Sequence, residues 1–210
     1  MESQKPKIAM YVKRPFGEKL NASFDFLKEN WKLLLRFTTY LLLPLCLIQA
    51  LSLNGLMSGA LSISAIASST AMAASSSSLI AFGSYYGLYM FLYLIGIILL
   101  TSLVYGLIRT YNEREERLQG VTLGMLKPRL FRNIKRLLLM TGACILLVLF
   151  VGIFVGLLVA LTPFTLFLTI PFIIAFSVPL ALLAPIYLFE DITLMEAFKK
   201  TFRLGFATWG

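Results

Sequence analysis

Two long stretches of this chain contain no charged residue, and that absence constrains the fold more than any other feature. No Asp, Glu, Lys or Arg occurs from Phe37 to Ile108, nor from Leu137 to Phe189. All formal charge lies in three blocks, at 2–36, 109–136 and 190–203. Hydrophobic residues make up 59% of the 210 and charged residues only 14%, against roughly 45–50% and about 25% in soluble domains. A soluble core of this size cannot hide that much apolar surface; lipid can. A helix needs about 20 residues to cross the hydrocarbon, so each charge-free stretch holds two crossings and a turn.

The expected fold is therefore all-α: a polytopic membrane helical bundle of four transmembrane helices in two hairpins, with amphipathic interfacial helices. The spans are placed at 32–52, 85–108, 136–161 and 163–189. Two hairpins bring every charged block to one side. The blocks carry 8, 8 and 3 Lys or Arg, and the positive-inside rule makes that side the cytoplasm. Segments 1–31, 109–135 and 190–210 are then cytoplasmic, as are both termini. Segment 53–84, rich in Ser, Ala and Gly, reads as an outer loop with a short helix, and the second outer turn falls at Thr162 and Pro163. Tyr85, Tyr86 and Tyr89 mark the outer interface. The basic, polar N-terminus runs to Arg36, too long for a signal-peptide n-region, so the first span is expected to be retained. Cys46 and Cys144 lie in apolar runs and read as small buried hydrophobes.

Each charged block contains an amphipathic segment of helical period. Leu20, Phe24, Leu27 and Trp31 share one arc; Leu123, Leu126, Leu130 and Ile134 share another; Leu194, Phe198, Phe202, Phe206 and Trp209 share a third. Thr193 and Glu196 have capping-box spacing. Pro128 fits only a first turn, so the second helix is expected to start near it. Apolar residues on one face and cations on the other suit an interfacial helix. Lys28, Lys32, Arg36, Arg129, Arg132, Arg136, Lys199, Lys200 and Arg203 are the candidate contacts with anionic headgroups. Net charge +9 also raises nucleic acid as a partner. The apolar faces demand burial, however, and no nucleic-acid-binding motif accompanies them, so no nucleic acid is expected.

The repeating unit is a surface helix followed by a two-span hairpin, twice complete and begun a third time at Thr193. The residues Arg14, Pro15, Phe16, Gly17 and Glu18, then Ser23-Phe24 and Asn30-Trp31, precede a first span holding Pro44. Pro185 leads to the run from Glu190 through Glu196-Ala197-Phe198-Lys199-Lys200 to Phe202. This order resembles the bacterial six-helix membrane proteins similar to the membrane domain of glycerophosphodiester phosphodiesterases. The resemblance implies a bacterial inner-membrane location and a third hairpin beyond this segment. It implies fold more than activity, since the phosphodiesterase of that group is a separate soluble barrel. The expectation is that the native product is longer, or that this form associates with itself or another membrane protein.

The chain has no histidine, which excludes His-ligated zinc, Ser-His-Asp triads and His-ligated haem. No catalytic residue, metal site or cofactor is expected. Gln49 and Asn54, the most polar side chains bordering the spans, read as inter-helix hydrogen bonders. Glu190 and Asp191 read as acids favouring a helix N-terminus. Glu113, Glu115 and Glu116 among Arg109, Arg114 and Arg117 read as a solvated turn. Gly83 with Gly87, and Gly152 with Gly156 and Ala160, are candidate helix-packing stripes. Pro171, Pro179 and Pro185 are expected to kink the fourth span. The function these features suggest is non-enzymatic: a scaffold, accessory subunit or lipid-organising element. The alternative is a transport component for a lipid or amphipathic solute without proton coupling.

Overall fold

The computed structural model describes residues 7–9, 12–68, 75–162 and 164–207. The described residues form helices α1 (Phe16–Ser68), α2 (Ser75–Glu113), α3 (Leu123–Leu161), α4 (Thr165–Ala181), α5 (Leu183–Phe189) and α6 (Leu194–Ala207). No strand occurs among them. Four segments are long and apolar enough to cross a membrane: Phe16–Leu61, Leu79–Glu113, Leu123–Leu161 and Thr165–Phe189. Their apolar windows are largely uncovered by protein, and none of the α3 window is buried. This suits helices solvated by acyl chains, because in lipid an outward Leu or Phe costs nothing.

The chain divides into two compact units, Met1–Val104 with Thr110–Leu123, and Tyr105–Arg109 with Gly124–Gly210. In the first, α1 and α2 form an antiparallel pair with a constant register. A β-carbon placed on Gly59 meets Phe82 and one on Gly96 meets Leu45, while one on Gly55 meets the Tyr85 ring at 2.5 Å. At the other end Tyr111 hydrogen-bonds Glu29. The facing numbers in these pairs total 141, 141, 140 and 140. From Glu29 to Gly59, α1 rises about 45 Å at ~1.5 Å per residue, close to the full thickness of a bilayer with its headgroups.

Several expectations change here. Segment 53–84 is not mainly loop: α1 runs through 53–68 and α2 begins at Ser75. Ala and Leu in this segment favour helix, and in lipid the backbone satisfies its own hydrogen bonds best that way. The first two amphipathic segments are not separate surface helices. They are continuous with spans, in a 53-residue α1 and a 39-residue α3. Pro128 lies inside α3, five residues beyond its start at Leu123, so the helix begins earlier than the proline suggested. Prolines do break the fourth span. It divides at Leu182 into α4 and α5, with Leu182 N–H donating to the Pro179 carbonyl in a tightened turn. Pro185 supplies the cause: it lacks the N–H that would serve the Ala181 carbonyl, and its ring crowds that carbonyl. The expectations for Ser76, Pro163 and Trp209 concern side chains or positions outside the described residues.

In the second unit α6 runs back along α5 and α4. Ala197 is buried with Leu183 and Tyr187, and Met140 and Cys144 of α3 pack on the same cluster. A β-carbon on Gly205 would meet Pro179 at 2.7 Å. Phe176 touches both Phe202 and Phe206, at ring-centroid separations of 5.6 and 6.0 Å. The most buried stripe of α6 is thus Ala197, Thr201 and Gly205, at i, i+4 and i+8. Small residues there let the backbones approach, and the phenylalanines flank the seam. The apolar arc read from the sequence lies beside this stripe, not on it.

Candidate functional site

Three arginines converge on one carboxylate in the second unit. Asp191 accepts from Arg109 at 2.9 Å, from Arg136 at 2.9 Å and from Arg132 at 3.4 Å. The sequence places Arg109, Arg136 and Asp191 at a common depth, with Arg132 one helical turn before Arg136. Arg109 follows Ile108, the last residue of the first charge-free stretch; Arg136 precedes Leu137, the first of the second; Asp191 stands two residues beyond Phe189, where that stretch ends. Each is therefore among the first polar groups past a span.

Arg136 is the anchor of this cluster. Its other terminal nitrogen donates to the carbonyls of Tyr187 and Ile192, and its guanidinium lies 4.1 Å from the Tyr187 ring centroid. The Tyr187 carbonyl is one of the orphan acceptors at the end of α5 and Ile192 lies in the turn beyond it, so one side chain both caps that end and fixes the turn into α6. Asp191 holds a left-handed backbone, φ 53°, which Asp tolerates better than most residues. That conformation turns the chain from α5 into α6. The α6 cap is reciprocal: Thr193 N–H donates to the Glu196 carboxylate, and Glu196 N–H donates to the Thr193 hydroxyl. Hydrogen bonding to the carboxyl from Thr193, chiefly from its backbone N–H and then from its side chain, holds the Glu196 carboxyl below the usual carboxylate range. Glu190 pairs with Lys200 at 2.6 Å.

The first unit has a smaller counterpart. Glu29 accepts from Arg117 at 2.6 Å and from the hydroxyl of fully buried Tyr111 at 3.2 Å. Tyr111 packs edge-on against Phe26 and accepts from Ile8 N–H. Lys7 donates to the carbonyls of Asn112 and Arg114, supplying positive charge at the C-terminal end of α2, whose own last turn has none. Arg117, like Asp191, is left-handed, with φ 60°.

The expected site residues divide accordingly. Arg132 and Arg136 join the Asp191 cluster, and Lys200 pairs with Glu190. Lys28, Lys32, Arg36, Lys199 and Arg203 are exposed, and Arg129 is half-buried. Asp191 is not simply a helix N-terminal acid; it is the counterion of three arginines, and Thr193 does the capping. Arg109 and Arg117 are not solvated turn residues, since each reaches a carboxylate far away in sequence. The glycine stripes also differ. Among the described residues, nothing lies within 4 Å of a β-carbon on Gly83, Gly87, Gly152 or Gly156, and Ala160 is exposed. Gly55, Gly59, Gly96 and Gly205 are the glycines set closely against a neighbouring helix. Gly55 and Gly59 have the same four-residue spacing as the stripes, inside a segment taken for loop.

An open hollow of about 740 Å³ lies along α1, lined by Leu35, Arg36, Thr39, Tyr40, Leu43 and Pro44. No group of three His, Cys, Asp or Glu able to hold a metal occurs among the described residues. Compared with protein-family models, characterised proteins and solved structures, the chain matches none.

Proposed function

We propose that this chain is a non-enzymatic, multi-pass protein of a bacterial inner membrane, a scaffold or lipid-organising element whose basic ends engage anionic headgroups. The observation that carries this reading is the contrast between bare apolar helices and a cationic rim. The apolar window of α3 is wholly unburied. The second unit carries nine Lys or Arg against three Asp or Glu, a net +6 of the chain's +9. Each basic residue near an anionic surface contributes on the order of 1 kcal/mol. The likeness in residue order to the glycerophosphodiester phosphodiesterase membrane domain agrees with a lipid setting and belongs to the same proposal.

The test is purification from native membranes with quantification of co-purifying lipids and crosslinked proteins. Enrichment of anionic lipid over the bulk membrane is expected. Recovery of bulk lipid composition with no partner overturns the reading. The hollow on α1 supports a second one, transport of an amphipathic solute: Arg36 and Thr39 stand next to an apolar strip of Leu43 and Pro44, matching a polar head and an apolar tail. Solute flux in vesicles containing the pure protein distinguishes it.

A further inference from the structure

We propose that the Arg109–Arg132–Arg136–Asp191 cluster is a binding site for one phosphate group, supplied by an anionic phospholipid; this rests on the lipid-engaging reading above. The first ground is charge. Three guanidinium groups converge on one carboxylate, which concentrates positive charge at one place. Guanidinium forks match phosphate oxygens and bind them in pairs.

The second ground is the unequal engagement of the arginines. Arg136 is committed to the fold: its side chain is only 18% exposed, and it bonds two backbone carbonyls and Asp191. Arg132 is 49% exposed and its contact with Asp191 is a long 3.4 Å. Arg109 lies between them, 28% exposed. Arg132 therefore has an outward face for a ligand, with Arg109 at its side and Arg136 holding Asp191 beneath.

The third ground is depth, and it selects the source of the phosphate. Arg109, Arg136 and Asp191 are each within two residues of the end of a charge-free stretch, the level at which headgroup phosphates lie. Phe131, Leu138 and Leu139, on either side of Arg132 and Arg136 in α3, are more than half exposed. An acyl chain has an apolar path there, which a free phosphate does not need.

The experiment uses the full chain in nanodiscs of phosphatidylcholine with a minority of phosphatidylglycerol, reading retained lipid by native mass spectrometry. One phosphatidylglycerol per chain is expected to survive release from the disc. Arg132→Gln should lower its retention at least fivefold, while Lys13→Gln, an equal loss of charge at an exposed position in the first unit, leaves it unchanged. Asp191→Asn keeps the size and the left-handed preference but removes the competing carboxylate, so retention should rise. A fall with Asp191→Asn in a chain of unchanged thermal stability overturns the site. So does an equal loss with Lys13→Gln, and so does release of the lipid by millimolar inorganic phosphate, which makes the ligand soluble. Undiminished anionic enrichment in Arg132→Gln refutes this site alone. Absence of enrichment in the unaltered chain refutes the broader proposal.

Discussion

Arg136 links the chemistry of one side chain to the geometry of a whole turn. It is mostly buried, bonded to Asp191 and two carbonyls, and stacked on Tyr187. Losing such a cation leaves both the carboxylate and the carbonyls short of partners. Hydrogen bonds to charged groups contribute about 1.5–3 kcal/mol each, and partial exposure screens the ion pair. Arg136→Gln is expected to lower stability by about 2–3 kcal/mol in denaturant titration in detergent, with Arg132→Gln costing under about 1 kcal/mol. Glu196 offers a pH test at the same scale. Its carboxyl titrates below the usual range because Thr193 donates to it. Its contribution to holding the start of α6 is present above the ordinary Glu value and is lost as pH falls through the lowered folded one. Carbon NMR should find its midpoint below that of a free Glu, and Thr193→Ala, which removes the hydroxyl but keeps the backbone N–H that is the main cause, should raise it only part of the way. The spacing of Thr193 and Glu196 made this cap legible in the sequence. Asp191 was not: its partners lie 82, 59 and 55 residues away, and nothing local distinguishes it from an acid at a helix start. The available signal was depth, since charges bordering different spans at one level face a shared low-dielectric boundary.

At the level of helices, periodicity and charge anticipated four helices long and apolar enough to cross a membrane and missed what joins them. A Ser- and Ala-rich segment looks like loop by soluble standards, where Ser competes for backbone hydrogen bonds. Without water that competition lapses: the hydroxyls of Ser58 and Ser64 return to carbonyls three residues earlier in α1. The same misreading hid Gly55 and Gly59, whereas Gly83, Gly87, Gly152 and Gly156 were conspicuous because they stand in obvious spans. Spacing alone cannot say which face of a helix meets a neighbour. A leucine at position 55 must displace the Tyr85 ring, so Gly55→Leu should destabilise the α1–α2 pair by about 1–3 kcal/mol, the usual cost of overpacking. A β-carbon at position 152 meets nothing among the described residues, so Gly152→Leu should change unfolding of the single chain by less than about 0.5 kcal/mol. Thermal unfolding of both variants in mild detergent checks the contrast. Similar losses in the two would mean that the glycine faces are assigned the wrong way round.

Across the molecule, the ion pairs of both units fall at the charged ends of apolar helices, and this bears on how the chain lies in its membrane. We predict that Glu115 is on the cytoplasmic side together with both termini, and that Ser76 is outside. Single cysteines at 115 and 76, in a chain with Cys46 and Cys144 replaced by Ser, can be labelled with an impermeant reagent in intact cells. Labelling of position 115 and protection of 76 would reverse the orientation. The α1–α2 pair has a further consequence, for biogenesis. Nothing charged stands between Phe37 and Ile108, so with the flanking blocks retained on the side of synthesis, no ionised group has to traverse the hydrocarbon. Each such transfer would cost about 2.5–3.5 kcal/mol on insertion scales. With no charge to drive, the transmembrane voltage does no work on this hairpin as it enters. Its insertion into energised vesicles is expected to proceed equally well after an ionophore collapses the potential, whereas placing an aspartate at position 76 should make it voltage-dependent.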